Sequence, residues 1–106
     1  MTMATDVGTA PPRAGRPLRA AAVEIRTLAR GVPRWDPFDV EGWDAFERRR
    51  LVAERALAAR LVRMPGCALA VSEGGWEVEL TLAGIHVRSR DRLAGACIAW
   101  ATRAAA

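Results

Sequence analysis

Apolar residues recur at helical spacing from the first stretch that can fold: Leu18, Ala21, Ala22, Ile25, Leu28 and Ala29 share one side, and Arg19, Glu24, Arg26 and Arg30 occupy the other. The pattern predicts an amphipathic helix over 18–29, ended by Gly31 and Pro33. So short a helix is marginal alone and needs a surface to dock on, either its own domain or a partner. Ahead of it, residues 1–17 are rich in Gly, Ala, Thr and Pro, with Pro11, Pro12 and Pro17 blocking regular structure. They are expected to form a disordered arm.

A second helix is announced by Trp35-Asp36-Pro37, where Asp36 suits the N-cap and Pro37 the first helical position. Trp43, Phe46, Ala53, Leu57, Leu61 and Met64 recur at helical spacing and predict a core stripe along a helix over 37–64, bent near Gly42 and stopped by Pro65-Gly66. Acids crowd its start and arginines follow, an order that complements the helix dipole. Trp35 and Phe38 are placed to pack over its beginning.

Beyond position 66 the period drops to two. A two-residue turn at Gly74-Gly75 sets Glu73 against Trp76, Val71 against Val78, Leu69 against Leu80 and Cys67 against Leu82. A three-residue loop would put Val71 opposite Glu77, so the alternation rejects it. A second turn at Ala83-Gly84 sets Leu82 against Ile85, Leu80 against Val87, Thr81 against His86 and Glu79 against Arg88. The other face of this meander then carries Ser72, Glu77, Glu79, Thr81, His86 and Arg88. A last helix starts near Arg90, capped by Asp91 or Ser89, with Leu93, Ala96, Cys97, Trp100 and Ala104 on one side.

The fold class is therefore α+β: an N-terminal arm and helix, a long helix, a three-stranded antiparallel meander and a C-terminal helix, with an α-β-β-β-α core in two layers. The expected division is a basic arm at 1–17, a short helix and linker at 18–34, and a compact domain at 35–106. Over 37–105 this element order resembles that of double-stranded-RNA-binding domains. The tight Glu73-Gly74-Gly75-Trp76 hairpin departs from that family's longer first strand loop. At the start of the final helix, where the family is rich in lysine, this chain has Arg88, Arg90 and Arg92 interrupted by Asp91. The resemblance implies a two-layer fold; element order alone assigns no function.

Composition changes the weight of these features. The 106 residues include no Lys, Asn, Gln or Tyr, the types specified by AT-rich codons, so a GC-rich bacterial or phage genome explains the all-arginine basic set. Six arginines at 1–34 face only Asp6 and Glu24, whereas residues 35–106 carry ten arginines and ten acids, so the net charge of +4 belongs to the N-terminal third. A domain that binds nucleic acid across its own surface usually shows a basic face. Cys67 and Cys97 lack the spacing of a zinc site or redox pair, which points to reduced thiols and a cytoplasmic setting. No apolar run is long enough to span a bilayer.

No nucleophile, oxyanion-hole signature, metal-ligand set or cofactor motif emerges. His86 near two carboxylates suggests a general base, but a solvated sheet face with a Glu79–Arg88 ion pair has the same composition. The chain is thus expected to be non-enzymatic, without cofactor or metal. Two readings follow. The first is a protein-binding module, an accessory subunit, assembly factor or inhibitor, using Leu18, Ile25, Leu28, Trp35 and Trp100 against another protein or a second copy. The alternative is nucleic-acid binding by Arg13, Arg16, Arg19, Arg26 and Arg30 with support from Arg48, Arg49 and Arg50. The bland account of that last run is a helix face paired with Asp44, Glu47 and Glu54.

Overall fold

The computed structural model describes residues 16–38 and 41–106. Helix α1 spans Arg16–Arg30, α2 Trp43–Val62 and α3 Arg92–Ala105, with strands β1 Ala68–Val71, β2 Val78–Leu82 and β3 Ile85–Ser89 between the last two helices. The predicted α+β order is present, and the strands form one antiparallel sheet in the order β1-β2-β3.

The expected register is present in both ladders, although the first is shorter than expected: it starts at Ala68 with Thr81, so the expected pair Cys67 with Leu82 lies just beyond it. Leu69 faces Leu80 and Val71 faces Val78, and across the second turn Glu79 faces Arg88, Leu80 faces Val87, Thr81 faces His86 and Leu82 faces Ile85. A one-residue slip would turn the buried Val78, Leu80, Leu82 and Val87 to solvent, so burial enforces the register. Ala83 and Gly84 both take positive φ, 52° and 77°, the twist a two-residue type I′ turn requires.

The first hairpin keeps its register but not its expected turn. The Gly75 N–H donates to the Ser72 carbonyl at 2.9 Å with Gly74 at φ 89°, a type II turn centred on Glu73 and Gly74. Glu73 and Trp76 therefore do not pair, and the closing pair is Ser72 with Glu77.

Both N-terminal helix boundaries differ from expectation. Helix α1 begins at Arg16, inside the segment read as arm, because Pro17 sits in the first turn, where a missing N–H has no intrahelical partner to lose. The rest of that arm, including Arg13, lies outside the described residues. Helix α2 begins at Trp43, six residues after the expected start at Pro37. Asp36 uses its side chain locally instead: Oδ1 accepts the Phe38 N–H at 2.9 Å in a turn that competes with helix. Gly42 then serves as N-cap in an extended conformation. Trp35 does pack over the start of α2, while Phe38 stands 94% exposed.

One core unites the elements. Ala22, Ile25 and Ala29 of α1 are buried with Ala96, Cys97, Trp100, Ala101 and Ala104 of α3, and alanines on both helices allow their axes to approach closely. The segment at 18–34 is thus part of the domain's own core. Helix α3 in turn covers β2 and β3, and its Trp100, fully buried, donates from Nε1 to the Leu82 carbonyl at 2.9 Å. Burial also pushes the Cys97 thiol up to about 12, helped by the nearby Cys67, whose own value is raised by burial.

Candidate functional site

The residues expected to face a partner are mostly internal. Ile25 and Trp100 are completely buried, and Leu18 and Leu28 pack half-buried against the same core. Their apolar stripes are satisfied by each other's helices, which corrects the expectation that they form a free surface. Trp35 alone stays open, at 41% exposure, in edge contact with Trp43 and Phe46 at ring distances of 5.1 and 5.3 Å.

The arginine run on α2 is dispersed. Arg49 binds Glu41 through two hydrogen bonds of 2.6 and 3.0 Å, and Arg50 pairs with Glu47 while lying over the rings of Trp43 and Phe46. Of the acids proposed to pair with the run, only Glu47 does so; Glu54 turns inward to Arg92. Arg48 points to solvent with no ion pair among the described residues. On α1, Arg26 donates to Thr102 on α3 at 3.3 Å, whereas Arg19 and Arg30 are exposed. Arg16 lies at the first position of α1.

The polar sheet face assembles as the register requires. His86 Nε2 and Glu79 Oε1 are 3.1 Å apart, and Arg88 donates to Glu79 Oε2 at 3.4 Å. Hydrogen bonds from His86 and Arg88 hold the Glu79 carboxyl below its ordinary range. That makes Glu79 a weaker base, the opposite of what general-base work near neutral pH favours. Ser72 is taken up by the turn, its Oγ accepting the Glu77 N–H at 3.0 Å. No cluster of three potential metal ligands occurs among the described residues.

The side of α2 next to β1 has a different character. Leu51, Ala58 and Val62 follow one another at seven and four residues, which places them on one helical side beside the buried Phe46, Leu57 and Leu61. Among the described residues this second apolar stripe has little to cover it: Leu51 is 41% and Val62 58% exposed. Between it and the sheet runs a groove of about 470 Å³ lined by Leu51, Arg55, Ala58, Val71, Ser72 and Leu93, among others. Val71, whose strand partner Val78 is buried, is 49% exposed at the groove wall. The stripe was legible in the sequence as a second series beside the core series; it escapes a reading that assigns each helix a single apolar face.

One end of the groove is closed by Arg92, which sequence reasoning missed as a structural element. Its guanidinium grips Glu54 through bonds of 2.8 and 2.9 Å, donates to the Gly74 carbonyl at 3.1 Å and lies 5.1 Å from the ring centre of Trp76. Its backbone N–H donates to the Trp76 carbonyl at 3.1 Å, and its φ of 62° is a left-handed value that a side-chain-bearing residue rarely adopts. The Glu54 carboxylate raises the Arg92 guanidinium further above its ordinary value. A Cβ at Gly75 would sit 2.9 Å from Arg92 Nη2, so glycine there lets the guanidinium approach the turn. Arg92 thus ties α2, the first hairpin and α3 together at one point.

Among the described residues no helix is long and apolar enough to cross a membrane. No protein-family model matches the chain, and neither a curated protein nor a solved structure matches it, so the likeness to double-stranded-RNA-binding domains rests on element order alone.

Proposed function

We propose that this chain is a non-enzymatic protein-binding module whose docking surface is the groove between α2 and β1. The observation that carries the reading is the exposed Leu51 facing a half-exposed Val71 across an open groove, with Val62 exposed further along α2. Contiguous exposed apolar surface of this kind is typical of interaction sites. The polar sheet face supports the non-enzymatic part, since its ionisable groups neutralise one another in solvent. Two free cysteines fit a cytoplasmic setting. Nucleic-acid binding is the weaker reading because the one dense arginine run is largely occupied by Glu41, Glu47 and aromatic rings.

The test is affinity capture from nuclease-treated lysate of the encoding organism, comparing the full chain with the double variant Leu51→Glu, Val71→Glu. A protein retained by the first and lost with the second, while circular dichroism shows the variant folded, supports the module. Retention of nucleic acid alone, lost steeply with added salt, would overturn it.

A further inference from the structure

Resting on that protein-binding reading, we propose that the groove receives an extended segment of the partner, alternating apolar and acidic residues, which adds as a fourth strand along the free edge of β1.

The backbone argument comes from the ladder. The Ser72 N–H donates to the Glu77 carbonyl at 2.9 Å, so this pair is hydrogen-bonded. Antiparallel ladders alternate, so Ala70 and Ala68 also turn their backbone groups toward β2. The N–H and C=O groups of Leu69 and Val71 therefore point away from the sheet, toward the place where a further strand would lie. Strand β1 lies at the sheet's edge and carries no charge and no proline, devices by which sheets commonly blunt an edge. With four residues it can hold a short segment.

The side-chain argument comes from the groove. A strand beside β1 would lie under the flank of α2 that carries Leu51 and Ala58, and every second side chain would rise into that apolar channel. Charge supplies the rest of the specificity. Arg48 and Arg55 stand exposed on the same flank without an ion pair among the described residues, while the neighbouring Glu47 and Glu54 are held by Arg50 and Arg92. Of the charged residues that line the groove, Arg55 is thus the one without an ion pair among the described residues, while the exposed Arg48, Asp44 and Glu73 lie beyond the lining; a segment with acidic residues complements the groove itself. Backbone pairing supplies affinity in such strand addition, and the pockets for alternate side chains choose the sequence.

The probes are two ten-residue synthetic peptides, one alternating valine and glutamate, the other valine and lysine, titrated into the isotope-labelled full chain. The valine–glutamate peptide is expected to bind saturably and to slow hydrogen exchange at the Leu69 and Val71 amides selectively, with the core Trp100 indole unchanged. The double variant Arg48→Glu, Arg55→Glu should lower its affinity roughly three- to tenfold and favour the lysine peptide, the scale of two exposed ion pairs. Equal binding of both peptides, no slowing at those two amides at saturation, or concentration-dependent protection without peptide, which would mean a second copy on the edge, each overturns the proposal. If the edge amides stay unprotected while capture from lysate still depends on Leu51 and Val71, strand addition falls and the protein-binding reading stands; loss of that dependence removes both.

Discussion

The two edges of the sheet are treated differently by the rest of the chain. Two-residue closure at Ala83-Gly84 makes Leu82 and Ile85 a hydrogen-bonded pair, which leaves the backbone groups of His86 and Arg88 on the outer side of β3. There Arg103 of α3 donates to the His86 carbonyl, and the adjacent side chains His86, Arg88 and Glu79 form a charged cluster. Along β1 the outward groups of Leu69 and Val71 meet no such cover among the described residues, the strand is Ala-Leu-Ala-Val, and the helix above leaves a groove. Helix α3 lies over β2 and β3 with Trp100 fully buried, whereas α2 gives Leu57 and Leu61 to the common core and is tied to the first hairpin through Glu54 and Arg92. One edge is closed by charge and packing; the other is left apolar and open, as a strand-accepting edge needs to be.

The comparison breaks most severely at its closed side. Trp100→Ala removes the largest buried side chain and the indole's hydrogen bond to the Leu82 carbonyl, with an expected loss of about 3–5 kcal/mol in urea unfolding. On the open side, Glu54→Ala leaves Arg92 without its carboxylate. Little of the pair touches water, at 10% and 13% side-chain exposure, yet it lies at the groove's end rather than deep inside. The expected loss is therefore at the low end of the range for buried pairs, about 3 kcal/mol by the same measurement. Gly75→Ala should lose about 1–2 kcal/mol, since φ is 82° and the new methyl meets Arg92, and the double variant with Arg92→Ala should lose less than the sum of the singles. Arg103→Ala should change stability by less than about 1 kcal/mol but uncover the β3 edge, read as increased self-association in sedimentation velocity. The smallest effect concerns acid. The Glu79 carboxyl titrates below its ordinary 4.5 in the folded chain, so its contribution is present above that pH and lost as pH falls through the folded value. Glu79→Gln should flatten the acid side of the stability profile, followed by thermal melts from pH 6 to pH 2.

Much of the fold could be read before any coordinates. The strand register was legible because side chains alternate strictly, and only one alignment puts Val71, Leu69 and Leu82 opposite apolar partners. The last helix and the body of the second followed from their apolar series. The start of α2 did not, because Asp36-Pro37 satisfies the rules for a cap and for a turn equally, and the chain uses the turn. The site was less legible. Leu51, Ala58 and Val62 are visible as a second stripe, but nothing local says that a neighbouring strand will leave them uncovered.

What the sequence determined by itself is what depends on residues a few positions apart: helical and strand periods, turn positions, pairing register and the apolar side of each element. What only the tertiary structure decided depends on residues far apart in the chain. Helix α1 could have served a partner, yet it packs on α3; Trp100 could have been exposed, yet it fills the core under β2; Glu54 could have paired with Arg50, yet it reaches Arg92 across 38 positions. Each was a choice between surfaces of similar chemistry, and burial against a specific neighbour, which no local pattern encodes, decided between them.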